Sequence, residues 1–322
     1  MAPQPTTTGR HADAHAAAID DDATAALMAD VRRLRLSALR RVDDLFAGEY
    51  HSAFKGQGIE FDEVRAYQPG DEVRSIDWNV TARAGRPFVK RFREERRLTV
   101  QLVVDVSASG VWGSGRCTTQ RLLAEAGAIL GLAAQRNNDS TALTLFSDGP
   151  RLRLPPARGA THQLRLLREL LGAVPAGAGR GMASALERTA RGLKRRSIIF
   201  LASDFLLPDP ESALPELGST LRQVGRRLEL VALRANDPRQ TELPSVGLLE
   251  LRDPETGAAA VVDTSSPRVR RRWAAARREH AETLARTLRE SGCDLVELST
   301  EREPADDLAR YFRVRERRRA RR

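Results

Sequence analysis

From Leu98 to Val106 the chain reads LTVQLVVDV, an almost unbroken apolar run with an aspartate near its end. Such a strand has no face to offer water, so it must be covered on both sides, as the central strands of parallel sheets are. A second run, SIIFLA from Ser197 to Ala202, is followed directly by Ser203 and Asp204. Around these runs, apolar spacing predicts helices over Thr118–Gln135, Ala160–Leu171, Met182–Leu193, near Leu214–Val224 and over Pro267–Glu290. Strands are expected over Thr141–Phe146, Leu152–Leu154, Leu228–Leu233 and Leu295–Leu298, with a helix closing the chain. Strands alternating with helices predict an α/β fold with a doubly wound, mostly parallel sheet.

Composition narrows the class further. With 322 residues, 41% of them hydrophobic and 30% charged, the chain can bury a large core and is neither fibrous nor disordered as a whole. No apolar stretch approaches the roughly 20 residues needed to span a bilayer. The start, MAPQPTTTGRHADAHAAAIDDD, has no apolar centre and is not a secretory signal. Cys117 and Cys293 stand far apart, which argues against a disulfide scaffold or a zinc site. A cytoplasmic protein is expected. The formal charge of +10 comes from arginines interleaved with acids along most of the chain, which suits a solvated surface better than a nucleic-acid interface.

The expected organisation has four parts. Residues 1–26 lack periodicity and are expected to be a disordered tail. Residues 27–97 hold a helix, with Leu27, Val31, Leu34, Leu36, Leu39, Val42 and Leu45 recurring at helical spacing, and then a segment of short strands and turns rich in Gly, aromatic and charged residues. Residues 98–312 form the α/β body, interrupted at 246–264 by a hairpin whose turn is Asp253-Pro-Glu-Thr-Gly257. Residues 313–322 are expected to be an Arg-rich tail.

Ligands of open α/β sheets sit beyond the carboxyl ends of the strands, where strand order reverses. Asp105, Ser107 and Ser109 alternate after the first run, so their oxygens can converge, and Ser203 and Asp204 follow the second. Carboxylate and hydroxyl oxygens are hard ligands suited to Mg²⁺ or Mn²⁺. The other reading is that Asp105 caps the next helix and the serines fill a polar turn.

Asp105-x-Ser107-x-Ser109 with Ser203-Asp204 resembles the von Willebrand factor A fold and its metal-ion-dependent adhesion site. The segment Phe61-x-x-Val64-Arg65-x-Tyr67-x-x-Gly70-Asp71-x-x-Arg74-x-Ile76-Asp77-Trp78 is more specific. Together with the hairpin, it resembles a bacterial von Willebrand factor A-like family of unknown function, numbered fifty-eight, often found with MoxR-type AAA+ ATPases. The resemblance covers roughly Val31 to Val314. It implies that the Asp105 and Asp204 strands are neighbours at the switch point, and that a third loop supplies a Thr hydroxyl. Here that position is Arg180, in Gly179-Arg180-Gly181. A guanidinium has no acceptor and cannot ligate a cation. The adhesion site is therefore degenerate, and weak or absent metal binding is expected. Arg180 can turn inward to neutralise the carboxylates, or its flanking glycines can let it swing into solvent.

For the upstream segment, the preferred reading is structural. Arg65, Asp71, Arg74 and Asp77 form ion pairs that pin the strands to the α/β body, Gly70 makes the turn, and Tyr67 and Trp78 are buried anchors. A partner-recognition surface is the other reading. The resemblance implies a non-enzymatic adaptor that meets a MoxR-type ATPase or another protein through an acidic contact residue. It has no catalytic residues and no required cofactor, with Mg²⁺ left open. The alternatives are Mg²⁺-dependent phosphoryl transfer of haloacid-dehalogenase type, which lacks its general acid because Ser107 stands in that place, and nonspecific nucleic-acid binding through the Arg tail.

Overall fold

In a computed structural model describing residues 25–42, 59–72, 75–94, 98–194 and 196–320, the run from Leu98 lies inside the main sheet. Ahead of it come helix α1 (residues 25–42), strand β1 (Ile59–Ala66), helix α2 (Trp78–Ala84) and strand β2 (Phe88–Glu94). The body then runs β3 (Thr99–Asp105), α3 (Thr119–Arg136), β4 (Ser140–Phe146), β5 (Pro150–Ala157), α4 (Ala160–Gly172) and α5 (Met182–Arg191). It continues through β6 (Ser197–Ser203), α6 (Pro210–Gly225), β7 (Glu229–Asn236), the hairpin β8 (Leu248–Arg252) and β9 (Ala259–Asp263), α7 (Pro267–Glu290), β10 (Asp294–Ser299) and α8 (Pro304–Ala320).

The main sheet has the order β10-β7-β6-β3-β4-β5, parallel throughout except for β5, which runs antiparallel along β4 at one edge. After β3 the chain goes to β4 and β5, then returns to β6 on the other side of β3, so strand order reverses at β3. This is the doubly wound fold expected, with the Asp105 and Asp204 strands adjacent.

Both faces of β3 are buried because helices cover each side. Val100, Leu102 and Val104 join Leu143, Phe200 and Val231 under α1, α3, α4 and α8. Val103 faces the other way, with Ile199, Leu201 and Ala232 under α5, α6 and α7. Helix α3 passes so close to α4 that a side-chain carbon at Gly131 would lie 2.2 Å from Gln163 Nε2. Helix α1 presents Val31, Leu34, Ala38 and Val42 to the first core at spacings of three and four. Its Asp30 pairs with Arg121, which also donates to Glu125 at 3.0 Å.

The upstream segment differs from expectation in two ways. Trp78 is not a buried anchor: it opens α2 and is 68% exposed, while Tyr67 is half-buried. Asp77 is the N-cap of α2, accepting from the backbone N–H of Asn79 (3.0 Å) and Val80 (3.3 Å), because an unsatisfied first turn recruits a nearby carboxylate. That helix was not expected. Arg65 and Asp71 do pair, in a two-pronged contact of 2.6 and 2.9 Å within the segment, and Gly70 takes φ +107° in the turn between them. Arg74 lies outside the described residues, as do residues 1–24.

The Arg-rich end is also no separate tail, since α8 continues to Ala320. Arg315 on its inner side pairs with Glu229 and, at 2.7 Å, with Asp294, which also accepts from Tyr311 Oη at 2.9 Å. Among the described residues no helix is long and apolar enough to cross a membrane.

Candidate functional site

Asp105 is the last residue of β3, and its short side chain stays at the strand end, where it is 8% exposed. Its Oδ1 accepts from the Ser107 backbone N–H at 2.9 Å, and its Oδ2 from Ser203 Oγ at 2.8 Å. Ser203 Oγ accepts in turn from the Phe205 N–H at 2.9 Å, so one hydroxyl links the two strand ends. Ser107 and Ser109 bring their hydroxyls within 3.0 Å of each other. Asp204, 5% exposed, accepts from the Leu206 N–H at 3.0 Å through Oδ1, while its buried Oδ2 has no hydrogen-bond partner among the described residues. Asp105 therefore does not cap the following helix; Thr118 caps α3.

Burial first, and then the charge of Asp204, push the Asp105 carboxyl up to about 6, against the hydrogen bonds from Ser203 and Ser107. In this buried strand-end niche the neighbouring Asp204 carboxylate disfavours ionisation of Asp105.

The third loop reaches this niche through its backbone. Gly179, at φ +69°, passes so close that a side-chain carbon there would lie 3.4 Å from Asp105 Oδ2 and 3.5 Å from Ser107 Oγ. Asp148, in the turn after β4, fixes that loop by accepting from the N–H groups of Ala178 (3.0 Å) and Arg180 (3.4 Å). Gly177 sits beside it at φ +84°, a backbone conformation that residues with a side chain rarely adopt. Arg180 itself is exposed and forms no ion pair with Asp105 or Asp204 among the described residues. Of the two orientations open to it, the loop takes the outward one.

The hairpin completes the surroundings. Its turn closes with Gly257 N–H donating to Asp253 O at 2.8 Å, and Asp253 accepts from the Glu255 N–H (2.9 Å) and Thr256 Oγ1 (2.6 Å). This tip reaches back over the strand ends. It forms one wall of a cavity of about 420 Å³, shared with Ser109, Trp112, Arg180, Leu207 and Arg277. Glu255 is half-buried there, and its carboxyl is raised to about 7, first by burial and then by Asp204, Asp253, Asp105 and Asp148.

The backbone next to Asp204 is strained. Phe205 is fully buried at φ +57°, a conformation that costs a bulky residue about 1–3 kcal/mol. His280 of α7 is hydrogen-bonded to its carbonyl at 3.0 Å.

Asp105, Ser107, Ser109, Ser203 and Asp204 thus come together, with the Arg180 loop against them and its side chain outside. Reading the sequence missed Asp148 and Glu255 as neighbours of the site. Asp148 carried a signal, since it follows the β4 run as Asp204 follows β6. Glu255 carried none beyond its place in a hairpin turn.

The model of the family described as "Protein of unknown function DUF58" matches residues 63–283. An uncharacterized protein of Mycobacterium tuberculosis, Rv1480, is 33% identical over 301 residues, which cover 93% of this chain and 92% of that one. An uncharacterized protein of Mycobacterium avium, MAV169, is 31% identical over 165 residues, half of this chain and 94% of that one. Among solved structures, an aerotolerance-related membrane protein from Bacteroides fragilis overlays with a TM-score of 0.47 at 11% identity, covering 69% of this chain and 99% of that one. The BatB protein of Bacteroides thetaiotaomicron gives 0.44 at 12% identity, covering 68% and 99%. With most of its length matched by the family model and by full-length relatives, the chain belongs to the DUF58 family.

Proposed function

We propose that the chain is a non-enzymatic, cytoplasmic protein-interaction module, a von Willebrand factor A-like adaptor that captures a carboxylate-bearing partner at the Asp105 site. Its working partner on this reading is a MoxR-type AAA+ ATPase, and the pair serves assembly or maturation of protein complexes. The observation that carries the reading is the gathering of two serine hydroxyls and two carboxylates at the switch point, beside an open cavity.

The donor set fits a hard divalent cation. Ser107 and Ser109 would face the ion with their hydroxyls and Asp105 and Asp204 with carboxylate oxygen, and the unpartnered Asp204 Oδ2 is the atom in want of positive charge. A bound ion would supply the charge that holds a partner's carboxylate. Phosphoryl transfer is less well supported, because Ser107 stands where that chemistry requires an acid, and its hydroxyl contacts Ser109 Oγ at 3.0 Å.

The test is a pull-down of a MoxR-type ATPase by the full chain. Asp105→Ala is expected to fold and to lose capture at least tenfold, and unaltered capture by a folded variant overturns the site. Turnover of generic phosphatase substrates with Mg²⁺, abolished in Asp105→Asn, would replace the adaptor with an enzyme.

A further inference from the structure

The site lacks the hydroxyl of its third loop, and the hairpin holds an acid over the same cavity. Glu255 feels the charges of Asp204, Asp105 and Asp148, all at or beside the strand ends. None of the basic side chains described makes an ion pair with Glu255, Asp105 or Asp204, although Arg180 and Arg277 line the cavity. Like charges collected in a half-buried niche repel one another; Arg277 attracts Asp204 across the cavity without an ion pair, and a cation from outside relieves the remaining repulsion. The 5%-exposed Asp204, with one carboxylate oxygen lacking a donor among the described residues, independently marks where that cation would be felt.

We infer that Glu255 is an additional carboxylate of the Asp105 cation site, supplied by the hairpin in place of the hydroxyl lost at Arg180. Among the described residues no three acidic, histidine or cysteine side chains are close enough to share an ion directly. Glu255 therefore acts from across the cavity, accepting hydrogen bonds from water that the ion retains, as Mg²⁺ commonly does. The hairpin turn sets its reach: Asp253 accepts from the Glu255 N–H, which fixes the tip. A consequence is that a partner's carboxylate meets Glu255 on approach, so the hairpin also weighs on which partners are admitted. The inference rests on the cation-bearing form of the function proposed above.

The experiment is calorimetric titration of Mn²⁺ alone into the purified full chain, with electron paramagnetic resonance counting free Mn²⁺. Against the weak or absent binding expected from Arg180 alone, wild type with Glu255 in place is expected to bind a single ion, Asp105→Asn to lose binding, and Glu255→Gln to bind at least tenfold more weakly. Glu250→Gln, which removes an exposed acid elsewhere on the hairpin, should stay within threefold of wild type. Thermal melting confirms that each variant is folded. If Glu255→Gln fails to fold, Glu255→Asp, which shortens the reach by a methylene, is expected to weaken binding in its place. Glu255→Gln binding like wild type while Asp105→Asn does not would remove Glu255 from the site and leave the strand-end cation site standing. Absence of Mn²⁺ binding in wild type, or equal binding in Asp105→Asn, would overturn the inference together with the cation-bearing form. The pull-down then judges the adaptor reading separately.

Discussion

At the scale of single residues, two aspartates at strand ends are tuned in opposite directions. Asp105 is raised to about 6 by burial and by Asp204, so the native state holds its proton more tightly than the unfolded chain does. Stability of the cation-free protein therefore falls as pH rises from about 4 to 6, and the full penalty remains above that. Asp105→Asn removes it. In chelator, the variant is expected to gain about 1–3 kcal/mol over wild type at pH 7.5, with the gain vanishing near pH 4. Urea midpoints across that range check this, and a pH-independent difference would refute it. Asp237 shows the reverse. Burial alone would raise it, but bonds from Ser114 N–H (2.7 Å), Ser114 Oγ (2.5 Å), Thr300 Oγ1 (2.6 Å) and Arg239 N–H (2.9 Å) lower it to about 2. Its contribution is present above about pH 4 and lost as pH falls through 2. Asp237→Ala, which leaves those donors unpaired, is expected to cost on the order of 3 kcal/mol at pH 7, read as a lower urea midpoint.

At the scale of elements, α1 belongs to the core of the body despite its distance from it along the chain. Leu34 is 5% exposed beneath it, so Leu34→Ala is expected to destabilise the whole domain by about 2–5 kcal/mol in a single cooperative transition. A separate early transition would show that α1 folds apart. The segment β1–α2–β2 has few apolar residues to bury on its own. We expect it to be docked, so limited trypsin digestion should spare Arg65, whose guanidinium is held by Asp71. Early cleavage there with an intact body would refute docking. The hairpin β8–β9 carries Leu248 (74% exposed) and Val261 (69%) outward, while its tip shares a cavity with Ser109.

At the scale of the whole molecule, the sheet supplies what no segment could. The runs at β3 and β6 were legible because a strand covered on both faces has to be apolar at every position, and this needs no knowledge of its neighbours. The same holds for α7, read as Pro267–Glu290 from its spacing and observed there. That Asp105 lies beside Ser203 depends on strand order, which came from a family resemblance and not from periodicity. Local signals failed where tertiary packing decides. Trp78 is exposed because none of the described residues folds over it, Asp77 serves a helix the pattern did not show, and the arginines up to Arg319 join a helix whose Arg315 finds Glu229 and Asp294. The sequence by itself determined the class of fold and the oxygen donors at its two strand ends, because burial and side-chain chemistry are written residue by residue. Only the tertiary structure turned Arg180 outward, set Asp148 behind the third loop and brought Glu255 across from the hairpin. Those placements depend on the paths of loops, and loop paths are fixed by contacts between residues far apart in the chain.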